Sequence, residues 1–155
     1  MRFVLIGQAP SRKGRPGMAL QRGPTTKKIV DLLGMEKERY LKCFERVNLL
    51  ECFPGRREAS KGDSFPRKEA SQRARILKER YRGRSVLFVG IGVARVFGMK
   101  GGPLEWREVE PFRRAAILPH PSGLNRWWNE EENRDAARSF MADLGEDAWR
   151  AFQQL

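Results

Sequence analysis

The chain is 155 residues long and carries 31 Lys and Arg against 19 Asp and Glu, a formal charge of +12. That length suits one domain with a buried core, and the charge points to a polyanion partner, since basic groups that neutralise phosphates release counterions whatever the sequence. No apolar run is long enough to span a bilayer, and two cysteines, Cys43 and Cys52, are too few for a disulfide framework or for a zinc or iron–sulfur site.

The first predicted strand is Arg2-Phe-Val-Leu-Ile6, too short for a secretory signal and running into the turn Gly7-Gln-Ala-Pro-Ser11. A cytoplasmic setting with reduced thiols is therefore expected. Thr25 to Leu33 reads as a helix with Ile29, Val30, Leu32 and Leu33 on one side and Gly34 as its stop. A second strand is expected at Arg46-Val-Asn-Leu-Leu50, followed by a long basic loop from Gly55 to Pro66. Arg67 to Tyr81 is a very basic helical pattern with Ala70, Ala74, Ile76 and Leu77 inward; its outer face reads as a phosphate-facing flank or as a solvated surface. Ser85-Val-Leu-Phe-Val89 is the third strand, and Gly92 to Phe97 a short helix behind it. Ala115-Ala-Ile-Leu118 is the fourth strand, and Asn129 to Leu144 a last helix with an N-cap asparagine and Glu132 placed for a capping box.

Continuous apolar strands alternating with helices predict an α/β fold. The expected form is a three-layer α/β/α sandwich around a central, mainly parallel four-stranded sheet, one domain over residues 1–155. In such sheets ligands sit beyond the carboxyl ends of the strands. Three polar segments are expected there: Gly7 to Ser11, the stretch around Asn48, and the loop Leu118-Pro-His-Pro-Ser-Gly-Leu-Asn-Arg-Trp-Trp-Asn129. This last loop holds the only histidine, His120, between two prolines that restrict its backbone, which reads as a side chain presented for use or as a surface turn.

These segments, in this order, resemble the uracil-DNA glycosylase superfamily. Gly7-Gln-Ala-Pro10 is similar to its first motif, which occurs as G-Q-D-P in one branch and as G-x-A-P in others, and Gly14-Arg-Pro16 to the G-R-P segment of the latter. Val47-Asn-Leu-Leu-Glu-Cys-Phe-Pro54 resembles T-N-V-V-K-C-R-P-P, Phe88 to Gly98 the strand and helix before the last motif, and His120-Pro-Ser-Gly-Leu124 the motif H-P-S-P-L. The likeness covers almost the whole chain.

The resemblance implies a monofunctional DNA glycosylase that flips a uracil-like base out of DNA and hydrolyses its N-glycosidic bond. His120 would hydrogen-bond the base O2 as negative charge develops, and Asn48 would read the O4 and N3 edge; the lesser alternative is an asparagine bonded only to the strand's backbone. Gln8, Ala9, Pro10 and Ser11 would line the base site. Ser122 and Gly123 would meet a phosphate with Arg126, Arg12, Lys13 and Arg15, and Leu124 would be either a wedge in the gap left by the base or a loop leucine packed inward. Trp127 and Trp128 could stack on bases, or place one ring, expected to be that of Trp128, in the core. DNA is the implied partner; no metal, cofactor, membrane or second subunit is implied.

Departures from the family pattern sharpen the expectation. Ala9 stands where one branch has the water-positioning aspartate, and Gln21-Arg-Gly-Pro-Thr-Thr26 lacks the acidic residue of the other branches, so Glu51 and Asp63 are the remaining candidates. The base-stacking aromatic has no clear counterpart among Gly17, Met18 and Leu20, with Phe53 further off. Ser11 replaces a tyrosine that keeps 5-methyl groups out, which implies tolerance of substituents at the pyrimidine C5 and a role in repair or in defence against DNA with modified bases. The competing readings are a base-recognising DNA-binding module without efficient hydrolysis and a basic RNA-binding domain.

Overall fold

Four short apolar runs form the sheet in the computed structural model, which describes residues 2–10, 18–52 and 66–155. The strands are β1 (Phe3–Gly7), β2 (Phe44–Asn48), β3 (Ser85–Val89) and β4 (Arg114–Leu118), in the order β2-β1-β3-β4 and all parallel. Five helices accompany them: α1 (Pro24–Leu33), α2 (Lys37–Cys43), α3 (Arg67–Arg80), α4 (Ile91–Val96) and α5 (Glu131–Gln153). The expected α/β sandwich with a parallel four-stranded sheet is thus observed.

Side chains alternate across each strand, and here both faces are covered, so the strands read as unbroken apolar runs. Val4 and Ile6 of β1, Val86 and Phe88 of β3 and Ile117 of β4 join Ala70, Ala74 and Leu77 of α3 and Val93 and Ala94 of α4 in one core. Phe3, Leu5, Leu87, Val89, Ala116 and Leu118 face the other way, onto Ile29 and Leu33 of α1, Tyr40 and Cys43 of α2 and Met141, Leu144 and Ala148 of α5. Phe88, Phe97 and Phe112 form an aromatic knot in the first core, with centroids 4.8 to 6.0 Å apart. Aromatic pairs at such separations add about 1 kcal/mol each beyond the area they bury.

Several boundaries differ from the sequence reading. The second strand runs from Phe44 to Asn48 and not from Arg46 to Leu50. Leu49 and Leu50 are buried beyond its end, where their N–H groups donate to the carbonyls of Gly7 (2.7 Å) and Gln8 (2.8 Å). Apolar character there reports burial, not ladder membership. Ile76 is 52% exposed, because it precedes Leu77 by about 100° of helix rotation and falls outside the Ala70, Ala74, Leu77 stripe. Helix α2, unanticipated, is only seven residues long and is anchored by buried Tyr40 and Cys43.

The last helix begins at Glu131, with Glu130 at its N-cap and no side-chain cap bond, so the capping box of Asn129 and Glu132 does not form. Asn129 instead closes a 3-10 helix over Arg126–Asn129, which Asn125 caps. Gly34 ends α1 as expected, in the left-handed conformation that favours glycine. Of the basic loop expected from Gly55 to Pro66, only Pro66 lies within the described residues.

Candidate functional site

The carboxyl ends of the strands bring together residues far apart in sequence. Gly7 and Asn48 are register partners at the ends of β1 and β2. A Cβ at position 7 would stand 2.7 Å from the Asn48 Oδ1, so the glycine makes the room that the amide occupies. The N–H groups of Leu49 and Leu50 hold the chain after β2 against Gly7 and Gln8. Gln8 and Ala9 are half-buried, Ala9 packing against the core, and Pro10 is buried.

Leu20 approaches the same point from the segment before α1, with its methyl carbons 3.5 and 3.6 Å from that same Cβ position. Its backbone is left-handed, and its carbonyl accepts a hydrogen bond of 2.8 Å from the Tyr40 hydroxyl. Burial pushes the Tyr40 pKa far up, partly offset by Arg46, so the phenol stays a donor at ordinary pH.

On the far side of the sheet, β4 runs through buried Pro119 into His120, which is half-buried. The Gly90 N–H, in the turn from β3 to α4, donates to the Leu118 carbonyl at 2.8 Å, and a Cβ at position 90 would lie 3.8 Å from the His120 Cβ. Three donors converge on the His120 carbonyl oxygen: the Ser122 N–H (2.9 Å), the Asn125 Nδ2 (3.1 Å) and the Trp128 Nε1 (2.9 Å). The Asn125 Oδ1 accepts from the Trp127 N–H at 3.1 Å. Arg134 of α5 donates to the carbonyls of Trp128 (2.8 Å) and Asn129 (2.9 Å), tying the loop to the helix layer. The two indoles meet edge to face with centroids 4.8 Å apart, and Trp128 packs against the α1, α2 and α5 core, as expected.

Asn48 and Leu118 end the two outer strands, so three strand spacings of about 4.8 Å put their backbones about 14 Å apart, and His120 lies two residues beyond Leu118. The Asn48 amide stands beside Gly7 at the tip of β1, and the His120 Cβ lies near Gly90 just past the tip of β3. An amide with donor and acceptor faces thus stands beside Gly7 and Leu20, and the residue that carries the imidazole stands beside Gly90.

The remaining candidates are placed unevenly. Leu124 is 66% exposed, which excludes inward packing of this side chain. Ser122 is half-buried, and Gly123 and Arg126 are exposed on the same loop. Ser11, Arg12, Lys13, Arg15, Phe53 and Asp63 lie outside the described residues. Glu51 is exposed and ion-paired with Arg73 at 3.3 Å, while the Arg73 Nε donates to the Leu49 carbonyl at 3.2 Å. Its carboxylate is thereby drawn toward α3.

The sequence reading had Leu20 in the neighbourhood of the base-stacking position but not against Gly7, and it missed the Asn125 and Trp128 side chains that hold the His120 carbonyl. Only the proximity of Asn125 and Trp128 to His120 in the chain hinted at the latter pair. An open cleft of about 540 Å³ between Met99, Lys100, Arg107 and Glu108 lies toward the amino ends of β3 and β4, away from these groups. Among the described residues no group of three or more His, Cys, Asp or Glu could hold a metal, and no helix is long and apolar enough to cross a membrane.

The family model described as the uracil DNA glycosylase superfamily matches residues 1–145. No curated protein matches the chain.

Proposed function

Because the chain belongs to the uracil DNA glycosylase superfamily, we propose that it is a monofunctional DNA N-glycosylase acting on a uracil-like or 5-modified pyrimidine. The observation that carries this reading is the pairing of Asn48, given room by Gly7, with His120, whose carbonyl is clamped by three donors, at the two ends of one strand-tip floor. A base flipped from the stack meets Asn48 with its O4 and N3 edge and His120 with its O2. The C1′–N1 bond breaks with its electron pair going to the base. Water adds to C1′ and loses its proton to the departing base or to solvent. The imidazole N–H opposes the charge growing on O2, where one such donor contributes about 100- to 1,000-fold in rate.

Gln8, Ala9, Pro10 and Ser11 line the base from the β1 side in this reading. Leu124, exposed at the loop tip, fills the gap in the stack, while Ser122, Gly123, Arg126, Arg12, Lys13 and Arg15 hold phosphates. A serine at position 11, smaller than the tyrosine it replaces in the family pattern, supports tolerance of C5 substituents. No lysine is assigned to Schiff-base chemistry, so the product is an abasic site in an uncut strand. Repair of damaged DNA and defence against DNA carrying modified bases both fit this chemistry.

The test is incubation of the protein with end-labelled oligonucleotides, each carrying one uracil, 5-hydroxymethyluracil or bulky 5-modified pyrimidine, followed by alkali to reveal abasic sites. Release from at least one base is expected, with a loss of about 100-fold or more in His120→Ala. Release untouched by that substitution sinks the assignment of His120. A second reading is favoured by one observation: Glu51, the one described candidate for activating water, is engaged with Arg73. On that reading the protein recognises a base without hydrolysing its bond, and binding without release from the whole panel would support it.

A further inference from the structure

Helix α3 carries a charge pattern that its own stability does not require. Lys68, Ser71, Arg75 and Lys78 recur at steps of three and four residues, and Ser71, Arg75 and Lys78 each follow one of the buried residues Ala70, Ala74 and Leu77. They therefore form a second stripe about 100° around the helix from its core-facing one, with Arg67 beside it in the first turn. All are exposed except the half-buried Lys78. None of Arg67, Lys68, Arg75 and Lys78 makes an ion pair among the described residues. Glu79 is held by Arg82 at 2.6 Å, and Glu69 falls on the opposite flank.

The N-terminal part of the stripe works against the helix, while Lys78 in the last turn suits the dipole. Arg67 and Lys68 sit at the N-terminal end, where the helix dipole disfavours cations, and Arg75 and Lys78 are a like-charged pair three residues apart. A polyanion lying along the face would reverse both terms. The helix also starts at the right place: α3 leads back from the carboxyl end of β2 toward the start of β3, and Arg73 fastens it to the Leu49 carbonyl beside Asn48. The N-terminal end of the stripe therefore lies toward the carboxyl edge of the sheet, where the candidate site is, on the flank of α3 opposite Arg73, and the stripe leads away from that edge.

We propose that this face of α3 is a phosphate track that carries one strand of the DNA duplex flanking the flipped nucleotide. The proposal rests on the reading of the site as one that takes a base from DNA. From Lys68 to Lys78 the helix rises about 15 Å, the length of about four base-pair steps along the duplex axis. Lysine and arginine at one-turn intervals neutralise successive phosphates, and the Ser71 hydroxyl between them can donate to another. The face reads no bases; it lengthens the footprint and fixes the register of the duplex relative to His120.

The test is the salt dependence of binding, by fluorescence anisotropy, to a labelled duplex with no excisable base. Two charge-matched triples are compared with the unmodified protein: Lys68→Gln/Arg75→Gln/Lys78→Gln on the stripe and Lys37→Gln/Lys42→Gln/Lys100→Gln elsewhere on the surface. Removing three phosphate contacts is expected to reduce the slope of log K against log salt by about 2.7. The control triple is expected to leave it nearly unchanged. An unchanged slope in the stripe triple, or an equal fall in both triples, overturns the proposal. Binding needs no catalysis, so loss of slope without base release by any form of the protein would leave the track standing and defeat the glycosylase reading alone. Base release with an unchanged slope would do the reverse.

Discussion

Gly7 and Asn48 face each other at the ends of adjacent parallel strands, so closely that a single added methyl carbon on Gly7 would stand 2.7 Å from the Asn48 Oδ1. Neither residue can be understood alone. The glycine is a shape requirement imposed by its neighbour's amide, and the amide's position is a consequence of strand register.

Gly7→Ala is therefore expected to displace the Asn48 side chain, because the other neighbour, Leu20, is only 3.5 Å away. Misplacing a group that orients a substrate by about 1 Å can lower the rate about 100-fold, and overpacking costs about 1–3 kcal/mol in stability. Base release and melting temperature check both. Adding Asn48→Ala should restore the stability lost in Gly7→Ala while leaving release low; a double variant as unstable as Gly7→Ala would show that the amide is not what the methyl strikes.

Three bonds hold the His120 carbonyl, and on the proposed function Trp128 and Asn125 act as positioning residues for the imidazole. Trp128→Phe keeps a ring in the core and removes one donor; it is expected to lower kcat about tenfold with KM little changed. Because the chain has one histidine, its imidazole NMR signals belong to His120 without assignment work. They are expected to broaden or double in Trp128→Phe and in Asn125→Ala. A single sharp set at unchanged shifts in both variants would remove the positioning role.

Leu124 protrudes from the His120 loop at 66% exposure, so Leu124→Ala should alter stability by no more than about 0.5 kcal/mol. Release from duplex DNA should nonetheless fall about tenfold, whereas release from single-stranded DNA, where no stack must be held open, should hardly change. Equal effects on both substrates would argue against a wedge.

Gly145 of α5 lies against the end of α1, where an added Cβ would be 2.6 Å from the Leu33 carbonyl oxygen. A backbone atom in a helix cannot yield as a side chain can. Gly145→Ala is expected to destabilise by about 1–3 kcal/mol, or roughly 2–4 °C of Tm for each kcal/mol, and to leave base release at 25 °C intact. Thermal denaturation with and without the substitution decides it, and an unchanged Tm would mean that the two helices separate freely.

The two thiols should differ in reactivity. Cys43 is fully buried, and burial pushes its pKa up, which depletes the thiolate that reacts; Cys52 is exposed. At pH 8 the folded protein is expected to consume one equivalent of a thiol reagent and, once unfolded, a second. Prompt labelling of both thiols in the folded state would contradict the packing of α2 against β2.

Much of this was legible in the chain itself. The four apolar runs and the helices between them announce a parallel sheet covered on both faces, because only strands buried twice over lack polar alternation. His120 between prolines and Gly7 to Pro10 after the first strand mark the strand ends where ligands sit in such sheets. Boundaries were less legible where burial continues past a strand, as at Leu49 and Leu50, or where the rotation of one residue decides exposure, as at Ile76.

The sequence by itself determined the fold class, the excess of positive charge and the types of polar group available at the strand tips, since these depend on composition and period along one chain. Only the tertiary structure decided that Gly7 stands aside for Asn48, that Leu20 completes their floor, and that Asn125 and Trp128 converge on the carbonyl of His120. It also drew Glu51 away to Arg73. Each of these is a distance of a few ångströms set by strand register, loop closure or helix rotation, and such distances between residues arise only when the separate elements pack together.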